Sequence, residues 1–358
     1  MLVKAIKFNL TLEGEGIVNF DSNDQKFLWN KISNVEKCRH NNVSFGKGRY
    51  YEHIADDSND VTLNKTPIIS ADCLRHAMYE EEMGVFMLNV MHDQDLFLEV
   101  LAHSVLLQRG YLFAKDVTLK RTSPIKLSYA KAIEYSKLAL ETFASSQPKV
   151  AGEAEKGGTS FFKREVQGKV KYTTSGMIDL GELGFISVSD VHDRLAVHPD
   201  DVDKYLSVLQ RNLKEDLPLH VAYFNKRHDI FQIPERGIKL PDHVVLALTK
   251  DIIRRLASIN IHRTTTGWAK CSQVDIQLVN DPFESTAIKT IYNDNGLDLS
   301  VLDGINPDIP YELLGKDLEK VAMDRLAKYR DKVLKAQKSD KKAKKVADPS
   351  KEDSKETS

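Results

Sequence analysis

Apolar and polar residues alternate through positions 3–12, with Ile6, Phe8 and Leu10 on one side, and this period of two predicts a half-buried strand placed to be central. A different period governs residues 66–82, TPIISADCLRHAMYEEE. Pro67, Ile68 and Ile69 favour extended backbone, Ser70 can accept from the first orphan amides of a helix, and Asp72 suits the positive end of its dipole. Leu74, Ala77 and Met78 then recur at helical spacing toward a core, while Arg75 and Tyr79 share the opposite side with His76. Taken alone, that side reads as the water-facing surface of an ordinary amphipathic helix.

The same reading predicts a buried helix over 96–107, a short strand over 117–120, a turn at Ser123-Pro124, and a helix capped by Ser128 and running to about Phe143. Strand-type alternation on both sides of Gln167-Gly168 predicts a hairpin within 161–180. Helices are expected over 200–213 and 241–259, the second with Val244, Val245, Leu248, Ile252, Leu256 and Ile259 on one face. Residues 262–279 end in a strand carrying Val274, Ile276 and Leu278, and an amphipathic helix is expected from Tyr311 to about Gln337. Residues 13–65 read as a long insertion, and the tail from Lys338 has too much charge to bury a core.

Composition changes this picture only locally. The 358 residues carry a formal net charge of −1, so the chain is not uniformly basic, but its cations are clustered. Three widely spaced cysteines, Cys38, Cys73 and Cys271, suggest neither a disulfide framework nor a zinc site, and they fit a reducing cytoplasm. No apolar stretch reaches membrane-spanning length, and the first residues lack the apolar run of a signal peptide, so a protein without a membrane partner is expected.

Four segments in order resemble the backbone subunit of Cascade-type complexes, the seventh Cas protein family within the CRISPR-associated RAMP superfamily. TPIISADCLRHAMYEE is similar to that family's entry into its first helix, and LKRTSPIKLSYA resembles its Arg-x-Ser-Pro-Ile segment. FFKREVQGKVKYTTSGMIDLGELGFI resembles its Glu-Val-x-x-Gly strand, and HRTTTGWAKCSQVDI sits where the family carries a basic, glycine-rich loop, although Gly267 stands there without a glycine cluster. Within the family the type I-F variant form is the nearest fit, followed by the type IV form.

The resemblance implies an α+β fold with an RRM-like (ferredoxin-like) βαββαβ core over 1–280. Insertions at about 13–65 and 145–175 are its candidate projections, a helical extension follows over 281–337, and a disordered charged tail over 338–358. It implies CRISPR RNA, further copies of the chain arranged head to tail, other Cascade subunits, and target DNA by guide pairing as partners. Neither a cofactor nor a metal is implied. Gripping RNA regardless of sequence needs cations for phosphates and polar groups for 2′-hydroxyls. The residues expected to supply them are Lys47, Arg49, Ser70, Arg75, His76, Arg121, Lys126, Lys163, Arg164, His262, Arg263 and Lys270, with no catalytic residue among them.

Solvated loops and half-buried strands account for the same clusters without RNA, and Trp268 fits a core position. The competing functional reading is a metal-dependent ribonuclease of the type III kind using Asp21 or Asp24. His192, Asp193 and His198 lack a complete ligand set and fit a loop before a helix cap better than a metal site.

Overall fold

The computed structural model describes residues 1–15, 50–54, 63–80, 94–114, 117–135, 139–146, 159–167, 169–189, 194–214, 219–227, 234–262, 267–281, 284–314 and 327–328. Six elements organise them: β1 (Ala5–Glu15), α1 (Ala71–Met78), β2 (Ala130–Tyr135), β3 (Lys169–Asp179), α2 (Asp242–Ala257) and β4 (Trp268–Asp281). The four strands lie side by side in the order β4-β1-β3-β2, each antiparallel to its neighbours. Leu63–Ile69 and Tyr50–Ile54 extend this sheet beyond β2, and Lys289–Asn293 and Gly296–Leu297 extend it beyond β4.

Register explains which side is core. Ile6 stands opposite Ile178 and Leu278, and Leu10 opposite Thr174 and Val274, so the apolar sets of three strands coincide on one face. That face joins Leu74 and Met78 of α1 and Val244, Val245, Leu248, Ile252 and Leu256 of α2 in one buried cluster. Each such side chain contributes about 1.5–3 kcal/mol by leaving water. Gly176 of β3 belongs to the same packing, because a Cβ there would stand 2.2 Å from the Phe8 ring and 2.4 Å from the Lys126 carbonyl.

The expected strand at the N-terminus, the serine-capped α1 and the long amphipathic α2 are all present. Three expectations are corrected. The predicted helix from Ser128 is instead two strands, β2 and Ala139–Ser146, because the backbone of these strands pairs with 170–173 and 159–167. The hairpin therefore does not turn at Gln167-Gly168: Thr159–Gln167 pairs with Ala139–Ser146 in a two-stranded sheet of its own, while β3 pairs with β2. Finally, Tyr311–Leu313 is a strand, and described residues between 284 and 313 form short strands and a 3-10 turn where a helical extension was expected.

A second sheet of four strands runs Phe185–Ser187, Glu235–Lys239, Val221–Lys226 and Tyr311–Leu313. The Phe185 and Tyr311 rings stack across it with centroids 3.6 Å apart. No helix among the described residues is long and apolar enough to cross a membrane.

Candidate nucleic-acid interface

The polar side of α1 begins at Ser70, whose hydroxyl oxygen accepts from the Cys73 amide at 3.2 Å and so fixes where the helix starts. Arg75, one turn on, donates to Asp72 at 3.3 Å, and because Asp72 is 91% exposed this pair restrains the guanidinium only weakly. The Arg75 Nε is buried without a hydrogen-bond partner. Half-buried Arg109 stands close enough that burial, and then the charge of Arg75, lower its guanidinium pKa from the ordinary value. Two guanidinium groups that repel one another favour an anion between them. His76 is half-buried on the same helix, and α1 packs against the strand Asn260–His262, which brings exposed His262 into the neighbourhood.

Tyr79 corrects the predicted face. It is fully buried, its hydroxyl donates to Gln108 Oε1 at 3.3 Å, and burial pushes its phenol above the ordinary range. Gln108 Nε2 in turn donates to Asp251 at 2.7 Å, and Arg255 Nε donates to the same carboxylate oxygen at 2.9 Å. This network ties the C-terminal end of α1 to α2.

Arg121 is the clearest correction to the expected RNA-contacting set. Only 6% exposed, it donates to the carbonyls of Leu107 (3.1 Å), Phe185 (2.9 Å), Glu182 (3.2 Å) and Leu183 (3.1 Å). These carbonyls cluster at the C-terminal ends of two short helices, Ser104–Arg109 and Leu180–Gly184, where the backbone has acceptors without intrahelical donors. The guanidinium is a structural clamp and has no surface to offer a phosphate.

The remaining observations lie on the sheet face that α1 and α2 leave uncovered. Odd-numbered residues of β1 and β3 point there: Lys7, Asn9, Thr11 and Glu13 beside Lys171, Thr173, Ser175 and Met177. β4 adds Lys270, Gln273, Asp275 and Gln277, and the short strand Ile125–Leu127 sets Lys126 opposite Met177. Lys171 pairs with Glu13 at 3.7 Å, and Lys270 is the register partner of that glutamate. Trp268 is half-buried, with the Lys270 ammonium 6.0 Å from its ring centre. A cleft of about 430 Å³ opens on this face, lined by Lys7, Asn9, Lys126, Ser175, Met177 and Asp275 among others.

Of the residues expected from sequence, the structure groups Ser70, Arg75 and His76 on α1 with Arg109, and places Lys126 and Lys270 on the uncovered sheet face. Lys163 and Arg164 occupy register positions opposite Phe143 and Thr142 on the ribbon. Lys47, Arg49 and Arg263, like Asp21 and Asp24, lie outside the described residues. Sequence reasoning missed Lys7, Lys171 and Arg109, although the alternation that identified β1 already assigns Lys7 to the polar side. His198 accepts from the Asp200 amide and caps the turn Pro199–Asp201, and no metal-binding cluster occurs among the described residues.

Fold and face together define an α+β protein whose antiparallel sheet is packed on one side and presents lysines, hydroxyls and amides on the other. The family model described as Type I-Fv CRISPR-associated protein Cas7fv-like matches residues 2–294, and the chain belongs to that family. Within the Cascade backbone subunits this is the I-F variant form. A search of the curated proteins found no match.

Among solved structures, the chain is similar at 8% identity to a "CRISPR RNA-guided surveillance complex" chain, with a TM-score of 0.36, covering 78% of this chain and 72% of that one. A second, from a "CRISPR RNA-guided surveillance complex, pre-nicking", also has 8% identity, with a TM-score of 0.38 and coverage of 93% and 88%.

Proposed function

We propose that the chain is a CRISPR RNA-binding backbone subunit of a Cascade-like complex, which polymerises head to tail along the guide and presents it for pairing with target DNA. The observation that carries this reading is the uncovered sheet face. Its described centre offers lysines, hydroxyls and amides and no aromatic ring, the chemistry for holding phosphates and 2′-hydroxyls regardless of sequence. The strand order β4-β1-β3-β2, with α1 between β1 and β2 in the chain and α2 between β3 and β4, supports reading the core as RRM-like.

The two-stranded ribbon formed by Ala139–Ser146 and Thr159–Gln167 lies between β2 and β3 in the chain and is the projection we assign to contact with the next copy. Contacts of this head-to-tail kind are heterologous and extend into a filament. The subunit acts structurally, leaving processing and cleavage to other subunits, and works in the cytoplasm, where the buried thiols of Cys73 and Cys271 stay reduced.

Fluorescence anisotropy with a labelled single-stranded RNA tests the reading. The Arg75→Glu variant is expected to fold normally, bind more weakly, and show a log K against log salt slope shallower by about 0.7, the contribution of one phosphate contact. Wild-type protein that ignores RNA at low salt would refute it.

A further inference from the structure

We propose that a small cavity beside Glu235 binds a single structural water, which bridges the Glu235 carboxylate to Ser187 where the pairing of their two strands ends. The site does not depend on RNA binding.

The cavity follows from the register of the second sheet. Ser187 stands opposite Gly237, two residues from Glu235, and Phe185 stands opposite Lys239, so Glu235, Ser187 and Phe185 share one face. Tyr311 lies on that face too, because its register partner Lys226 is two residues from Phe224, the partner of Glu235. The rest of the lining is charged. Arg121 holds the carbonyls of Glu182, Leu183 and Phe185, and Arg194 donates to Glu182 Oε1 at 3.2 Å. These groups enclose a cavity of about 10 Å³ lined by Glu235, Ser187, Tyr311, Arg121, Arg194 and Glu182 among others. Roughly 10–15 Å³ is the least that holds one water, so a larger ligand is excluded.

Glu235 supplies the acceptor. It is 4% exposed, and its Oε1 is buried without a hydrogen-bond partner among the described residues. A buried carboxylate oxygen that lacks a donor is costly, and so marks a place where a donor belongs.

Charge selects which donor. Arg121 and Arg194 balance Glu182 and Glu235, and half-buried Lys120 adds a further cation to the lining, so no surplus of negative charge draws a metal ion. Glu235 itself repels an anion. Burial lowers the Arg194 guanidinium pKa, but Glu182, Tyr311 and Glu235 outweigh it and hold it above its ordinary value, which sets both carboxylates close to this one cation. A neutral molecule that donates and accepts fits such a site, and at this volume that molecule is water. Ser187 Oγ accepts from the Ser189 amide at 3.4 Å, which leaves its own proton to donate to the water. The water thus continues the link between strands Phe185–Ser187 and Glu235–Lys239 past their last paired residues, Ser187 and Gly237.

The test is a crystal structure of the full chain grown with rubidium as the monovalent cation, with anomalous diffraction recorded at the rubidium edge. One ordered water within about 3.2 Å of both Glu235 Oε1 and Ser187 Oγ, without anomalous signal, is expected. An anomalous peak there would make it a cation site, and a protein donor on Oε1, or no peak at all, would show that the water is not needed; each overturns the proposal. Crystals of Glu235→Leu, in which the acceptor is gone, should lack the water, and its persistence there would also overturn the assignment. Where Glu235→Leu fails to fold, Glu235→Gln decides: it keeps a carbonyl acceptor and is expected to retain the water and to melt within about 2 °C of wild type, and loss of the water in that variant would count against the bridge.

Discussion

The Arg255 guanidinium lies 5.1 Å from the centre of the Tyr79 ring, so a cation on α2 covers the aromatic residue that closes α1. The same guanidinium holds Asp251 at 2.9 Å, and Tyr79 reaches that carboxylate through Gln108. The helix that presents Arg75 is therefore oriented by a polar network beneath it as well as by Leu74 and Met78. Removing only the phenol hydroxyl, Tyr79→Phe, leaves the Gln108 oxygen without its donor and is expected to cost about 1 kcal/mol in urea unfolding. RNA affinity per folded molecule should change little.

Arg121→Met should be far more damaging. Four backbone carbonyls lose a shared donor in a site that water does not reach, and a loss of about 3 kcal/mol or more is expected. Thermal melting would report it, and a variant as stable as wild type would mean that the clamp is dispensable.

Burial also predicts an alkaline limit. It pushes the Cys271 thiol from 9.0 up to about 12 and the Tyr205 phenol from 10.0 up to about 12. Both groups are neutral when protonated, so the folded chain keeps protons that the unfolded chain has released. Stability from these groups is complete below about pH 9 and is lost as pH rises toward 12. Denaturant midpoints across that window should fall, and the fall should be smaller in Cys271→Ala. At pH 8 the native Cys271 thiol should resist iodoacetamide until the protein is unfolded.

Gly176→Ala tests the sheet packing. The added methyl group would enter space held by the Phe8 ring and the Lys126 carbonyl, at an expected cost of about 1–3 kcal/mol. If the melting temperature stays put, the close approach of β1 to β3 is looser than these distances indicate.

Elements whose identity depends on local periodicity were legible in the sequence. Ser70 as the cap of α1, the alternation of β1 and the apolar stripe of α2 are each set by residues a few positions apart. What depended on distant pairing was not. Residues 130–135 and 139–146 contain good helix formers such as Ala130, Ala132 and Leu140, yet pairing with residues 159–167 and 170–173 made them strands. A sequence also gives no measure of burial for a lone cation. Arg121 and Arg75 look alike in the chain, and only the three-dimensional neighbours separate a carbonyl clamp from a residue beside water. Lys7 was within reach, because the period that buries Ile6 and Phe8 turns it outward.

The most direct test of the central claim is the composition of the purified full chain after co-expression with a repeat–spacer transcript. Light scattering combined with absorbance at two wavelengths gives protein and RNA mass in one run. The account predicts RNA of defined length carrying several copies of the chain. A nucleic-acid-free monomer under those conditions would contradict it.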